Sequence, residues 1–157
     1  MLQAVSSDAT FGLAPTFNTD TGFTLALSPD KKAFTATFSG LEAILEAKST
    51  PIITRTFSFA IPLVDTEPGD EIPFFVQGTA EFEPGANTHM VFTVNDQSTT
   101  AYFPVQSKEG FLHRLDYKVT DAKEARVTVL LLASRDSKSD VEAYLNVSTI
   151  DTDIAKH

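Results

Sequence analysis

Apolar and polar residues alternate along most of the chain, which is the period of β-strands with one buried face. The clearest run is Ile53–Ile61, where Phe57 and Phe59 alternate with Thr and Ser. Two shorter runs, Phe23–Leu27 and Phe34–Phe38, flank a Ser-Pro-Asp-Lys-Lys segment rich in turn formers. Their pattern predicts a β-hairpin.

The same alternation predicts further strands, separated by turns at a spacing of about ten residues. They are Phe74–Phe82, Met90–Val94, Ala101–Phe103, Phe111–Val119, Arg126–Ala133 and Tyr144–Ile154. In Arg126–Ala133 the apolar residues are consecutive at Val129–Leu132, which predicts burial on both faces. Leu41–Lys48 contains helix formers but is short and uncapped, so we expect a strand, with one or two helical turns as the alternative.

About nine strands and no helix predict an all-β fold, an antiparallel two-sheet β-sandwich that is immunoglobulin-like or jelly-roll-like. A chain of 157 residues fits one domain. We place the sandwich domain at residues 22–157, because residues 1–21 show no sustained period. That N-terminal arm either packs over a sheet edge or adds a strand to a neighbouring subunit.

Charge and composition narrow the classes of partner. The chain has 12 Lys and Arg against 21 Asp and Glu, a formal net charge of -9, so we expect no nucleic-acid binding. It has no apolar run long enough for a membrane span. With no cysteine it has neither disulfides nor thiolate metal sites. The remaining partners are a second copy, another protein or a carbohydrate.

Catalytic signatures are missing, and we predict no catalytic residue. The three histidines show no spacing that favours a nucleophilic triad. Glu81 and Glu83 share one strand face at i,i+2 spacing, which a glycosidase could use. We favour the interpretation that the two glutamates face solvent and keep the sheet soluble.

Two groups of residues are candidates for binding. The acidic loop residues Asp65, Glu67, Asp70 and Glu71 surround a Pro-Gly turn and could supply oxygen ligands to calcium, the one cofactor the sequence suggests. A solvated turn is the alternative. Phe75 and Phe103 fall out of phase with their inward neighbours and could stack on a sugar, unless both faces of their strands are covered.

Several short segments resemble, in order, a family of small secreted β domains of unknown function found in fungi, plants and bacteria. They are Leu27–Phe38 with its Ser-Pro-Asp turn and Thr-rich strand, Phe57–Pro62, Val76–Ala80, Pro84–Gly85, Tyr117–Asp121 and Leu145–Thr149. Family members typically carry disulfide cysteines, and this chain has none. The resemblance implies a secreted β-sandwich and no known catalytic residues.

These observations favour a non-enzymatic extracellular structural or interaction module, with self-association through edge strands or the N-terminal arm as an option. The alternative is a carbohydrate- or calcium-dependent binding module of the lectin kind. An enzyme centred on acidic residues ranks third. Secretion follows from the resemblance alone; the first residues, Met1–Asp8, lack the basic and apolar regions of a signal peptide, so a cytoplasmic protein is the alternative location.

Overall fold

The computed structural model describes residues 9–12, 22–103 and 110–154, together with the backbone of residues 16–17. These residues form antiparallel strands and no helix. The strands are β1 (Thr10–Phe11), β2 (Thr16–Phe17), β3 (Thr24–Leu27), β4 (Ala33–Thr37), β5 (Glu42–Leu45), β6 (Ile52–Val64), β7 (Glu71–Phe82), β8 (Ala86–Val94), β9 (Gln97–Tyr102), β10 (Gly110–Lys118), β11 (Glu124–Arg135) and β12 (Ala143–Asp153).

The strands form two antiparallel sheets. The first sheet has the order β1-β6-β11-β8-β9, and β2 also pairs with β6. The second has the order β10-β7-β12-β4-β3, and β5 also pairs with β12. The predicted antiparallel two-sheet β-sandwich is therefore confirmed.

The core lies between the two sheets and is dominated by phenylalanine. Alternate residues of each long strand point inward, so Phe57 and Phe59 of β6 are fully buried while the intervening Ser58 is not. The ring of Phe23 lies 5.1 Å from that of Phe57 and 5.2 Å from that of Phe59. Such tilted ring contacts add to the hydrophobic stabilisation of the core.

A buried tyrosine joins the two sheets at one end of the core. Tyr117 of β10 is fully buried, and its hydroxyl accepts a hydrogen bond of 2.6 Å from the side chain of Asn95. Asn95 sits in the tight β8–β9 turn with φ of 54°, a left-handed conformation that asparagine tolerates. The Asn95 side-chain oxygen Oδ1 also accepts a 2.9 Å bond from the Arg126 backbone amide. The hairpin is thereby fixed to both sheets.

At Gly78 the backbones of β7 and β12 approach each other closely. The pairing of β12 with β7 shifts register between Val147 and Thr149. Beside that irregularity, a Cβ added to Gly78 would collide with the carbonyl oxygen of Asn146. Only glycine fits this position without backbone movement.

Three expectations about the elements need adjustment. The structure has more strands than the nine or so expected, because β1 and β2 lie within the predicted arm; the strand expected in Leu41–Lys48 is confirmed as β5. β1 and β2 pair with β6 of the same chain, and apart from Ala9 and Gly12 the rest of the predicted arm lies outside the described residues. In β11, Val129 and Leu131 are buried, but the outward Leu130 and Leu132 are only half-buried. No described element covers that face of the sheet.

Candidate binding site

A cavity lies where β9 ends before its neighbour β8. Tyr102, the last residue of β9, pairs with His89 of β8, whereas β8 begins three residues earlier at Ala86. Within the described part of the chain no strand lies beside that first segment of β8 on the β9 side. A cavity of about 400 Å³ results. We call it the β8–β9 notch; its lining includes Asn87, Thr88, His89, Tyr102, Phe103 and Ser134.

Tyr102 presents an aromatic platform at the notch. Inward and outward positions alternate along β9, and Tyr102 falls on an outward one, with 77% of its surface exposed. Its ring lies 5.4 Å from the His89 ring with an interplanar angle of 40°. Contact with the His89 ring limits the orientations of the Tyr102 side chain. A ligand that stacks on this large amphipathic ring therefore costs little side-chain entropy.

The notch contains polar groups that other protein groups do not use. Thr88 is only 4% exposed, and its hydroxyl has no hydrogen-bond partner among the described residues. A buried hydroxyl without a partner is unusual and costs about 1–3 kcal/mol. The side chains of Asn87 and Ser134 likewise form no hydrogen bond with the described part of the protein. None of the described residues that line it is Asp, Glu, Lys or Arg.

Phe103, one of the two aromatic residues predicted to bind a ligand, lines this notch but is not its exposed ring. It is half-buried, and its ring lies 4.5 Å from that of Phe111. The exposed ring belongs to Tyr102, which the sequence reasoning did not single out. The signal was available in the alternation, because Ala101 packs inward and the next residue must then face outward.

Phe75, the second predicted aromatic, lies on the outer face of the second sheet and is not near Phe103. The guanidinium carbon of Arg114 lies 5.2 Å from the centre of its ring. Arg114 is itself paired with Asp116 at 2.7 Å. In the adjoining groove, Asp151 accepts hydrogen bonds from Thr35 at 2.6 Å and from Gln77 at 3.4 Å. A ligand here would have to displace contacts that already exist.

The acidic loop does not assemble its four carboxylates into a cation site. Asp70 is buried, and its carboxylate accepts a 3.0 Å bond from the Glu67 amide. Asp65 and Glu67 are exposed, and Glu71 is half-buried at the start of β7. Among the described residues no three acidic or histidine side chains form a group that could hold a metal ion. In the structure Asp70 stabilises the turn of the loop.

Glu81 and Glu83 do not form the pair of carboxylates on one strand face that a glycosidase could use. Glu81 lies on the outer face of β7 and is exposed. Glu83 follows the end of that strand, and its carboxylate accepts a 2.8 Å bond from the Glu142 amide. One carboxylate is thus exposed and the other holds a turn.

No family model matches the sequence, and no curated protein matches it. Among solved structures, the fold is similar to TmCBM61, solved in complex with β-1,4-galactotriose, with TM-score 0.37 and 11% identity over 87% of this chain and 86% of that chain. It is also similar to Family 16 Carbohydrate Binding Module-2, with TM-score 0.32 and 11% identity over 83% and 88%. The enzymatically active domain of bacteriophage CBA120 tailspike protein 4 gives TM-score 0.34 and 16% identity over 91% and 19%. These likenesses are too distant to assign a function.

In the described ranges no helix is long and apolar enough to cross a membrane.

Proposed function

We propose that the protein is a carbohydrate-binding module that holds a neutral sugar chain in the β8–β9 notch, with Tyr102 as the stacking platform. A pyranose ring has apolar C–H faces and a rim of hydroxyl groups. It therefore needs a flat aromatic surface beside several uncharged hydrogen-bonding groups. We assign binding rather than hydrolysis, because among the described residues no carboxylate lines the notch to act as acid, base or nucleophile.

The exposed ring of Tyr102 is the observation that carries this proposal. It lies at the edge of a cavity whose volume falls within the range of small-molecule sites, about 300–1,000 Å³. Asn87 and Ser134 offer donors and acceptors with no partner in the described protein. Thr88 also lines the cavity, and its hydroxyl has no partner in the described protein.

Charge favours a neutral ligand over an acidic one. The net charge of -9 repels anionic polymers at long range. The described residues that line the notch include no Lys or Arg that could pair with a uronate or a sulfate. The Phe75 groove is a weaker alternative, because Arg114 covers its aromatic ring and Asp151 is already hydrogen-bonded.

The test is binding to an array of neutral and acidic oligosaccharides, followed by calorimetric titration of the strongest ligand. We expect at least one neutral glycan to bind and Tyr102→Ala to weaken it about tenfold or more, since losing a buried aromatic contact costs roughly 1.5–3 kcal/mol. Tyr102→Phe keeps the ring and should retain most of the affinity.

Leu112→Ala provides the matched control, because Leu112 is 64% exposed on the outer face of the other sheet. It should bind like the wild-type protein. Equal affinity in the wild type and in Tyr102→Ala would refute the assignment of the notch, and so would an array on which only acidic glycans bind.

A further inference from the structure

The outer face of the first sheet is uncharged over most of its area. We call it the uncharged face; it consists of the outward side chains of β11 from Thr128 to Ser134 and their neighbours on β6, β8 and β9. One row across it runs from Thr56 through Leu130 and Val91 to Thr100. Among the described residues, charged side chains appear only at its end, where Arg126 pairs with Glu124 at 3.0 Å.

The apolar content of this face is higher than an open sheet needs. Leu130 and Leu132 belong to a sequence that is typical of a strand buried on both sides, yet they stay half-exposed. Ile52 and Tyr102, 53% and 77% exposed, lie on the same face. Exposed apolar side chains that adjoin one another mark an interaction surface more often than single ones do.

The outer face of the second sheet differs in charge. Its outward positions include Glu42, Glu71, Glu81, Arg114, Asp116, Lys118, Asp151 and Asp153. The two faces of one sandwich thus differ sharply, although the whole chain is strongly acidic. Two copies that met through the second sheet would bring acidic groups together, whereas meeting through the uncharged face would not.

We infer that two copies of this chain associate through the uncharged face, with the acidic faces directed outward. A flat surface of Thr, Leu and Val can pack against its own copy about a two-fold axis without ion pairs or a matching pocket. The face is four strands wide, at about 4.8 Å per strand, and seven residues long, at about 3.4 Å per residue. Its dimensions are therefore roughly 20 by 24 Å. That area is smaller than the roughly 800 Å² that each partner buries in a standard interface, so we expect the dimer to be weak.

This inference does not rest on the proposed carbohydrate function. The central row of the face can be altered without touching the lining of the notch. Tyr102 borders both surfaces, so it is left unchanged in the experiment. A protein that binds no glycan could still dimerise in this way, and a monomer could still bind one.

The experiment is sedimentation equilibrium from about 10 μM to 1 mM protein, at about 0.05 M and 0.5 M salt. The average mass should rise from 17.1 kDa toward twice that value as the concentration increases. Association should strengthen severalfold at high salt, because screening reduces the repulsion between two chains of charge -9 and the interface has no ion pair to lose.

Thr56→Glu and Thr100→Glu place a carboxylate in the central row at exposed positions, and each should weaken association at least tenfold. Thr37→Glu puts the same charge on an exposed position of the second sheet and should leave association unchanged. Melting temperatures confirm that each variant folds. A mass of 17.1 kDa at every concentration would overturn the inference, as would a dimer that is insensitive to both variants or that dissociates in high salt.

Discussion

Thr88 and Thr152 are both buried threonines, and they differ in whether the hydroxyl has a partner. The Thr152 hydroxyl donates a 2.6 Å bond to the Pro73 carbonyl, and the Thr88 hydroxyl has no partner in the described protein. Replacing Thr88 by Val removes an unpaired polar atom and keeps the shape. We expect Thr88→Val to raise the free energy of unfolding by about 1 kcal/mol, measured by urea denaturation.

Thr152→Val is the matched control, because it removes a buried hydroxyl that donates a hydrogen bond to the Pro73 carbonyl. It should lower the free energy of unfolding by about 1–2 kcal/mol. If Thr88→Val destabilised the protein as much as Thr152→Val, the Thr88 hydroxyl would have a partner in solution and would not be available to a ligand.

His113 gives the stability a pH dependence at the scale of one residue. It lies on β10, and its Nε2 atom is 3.1 Å from the Thr99 hydroxyl of β9 on the facing sheet. Burial lowers the pKa of His113 below its usual value of 6.5. The unfolded chain therefore takes up this proton at a higher pH than the folded chain does, and stability falls as the pH drops through 6.5.

Urea denaturation between about pH 8 and pH 5 should show this loss, and His113→Gln should flatten the curve in that range. The comparison uses the slope with pH and not the absolute stability, since the variant also changes the contact with Thr99. Parallel curves for both proteins would show that His113 titrates alike in the folded and unfolded states.

At the scale of elements, Arg135 anchors the connection between β5 and β6. It is buried at the end of β11, and its guanidinium donates to the carbonyls of Glu46 at 2.7 Å, Ser49 at 2.7 Å and Val141 at 2.9 Å. Lysine carries the same charge but has no planar fork that could span three carbonyls. We expect Arg135→Lys to lower the free energy of unfolding by about 2–3 kcal/mol, measured by urea denaturation.

Arg55→Lys is the control for this prediction, because Arg55 is exposed on β6 and bonds only the carbonyl of Thr54 next to it. That variant should change stability by less than about 0.5 kcal/mol. Equal effects at the two positions would mean that the carbonyl contacts of Arg135 contribute little.

The acidic loop is stabilised by its own backbone contacts. Asp70 bonds the Glu67 amide, and its carbonyl accepts a 2.7 Å bond from the Val119 amide. We therefore expect calcium at about 5 mM to leave the melting temperature unchanged, since only a ligand that binds the folded state would raise it. Asp70→Ala should lower it by several degrees with or without calcium. A calcium-dependent rise that Asp70→Ala removes would restore the predicted metal site.

Local patterns predicted most of the elements but not the surfaces they create. The alternation in Ile53–Ile61 fixes a strand and its buried face, because the side-chain period of a strand is two. The notch depends instead on where β9 ends relative to β8, and this offset between strands is set by pairing that no local pattern encodes. The role of Asp70 was missed for a similar reason, since a carboxylate that caps a turn and one that binds calcium have the same sequence signature.

At the scale of the whole molecule, the sandwich separates two kinds of surface. The second sheet carries most of the outward charge, while the first sheet carries the uncharged face and, at its edge, the notch. Repulsion between the charged faces of different molecules opposes association through the second sheet, whereas the first sheet can make uncharged contacts. Carbohydrate binding as proposed requires that the ligand contacts the residues of the notch.

The most direct measurement is an amide chemical-shift titration of ¹⁵N-labelled protein with the neutral glycan that binds most strongly on the array. If the notch holds the glycan, the largest shifts fall on the amides of Thr88, His89, Tyr102 and Phe103 and saturate together. Shifts centred on Phe75 and its neighbours in the second sheet, or no saturable shift with any neutral glycan, would show that the notch is not the carbohydrate site.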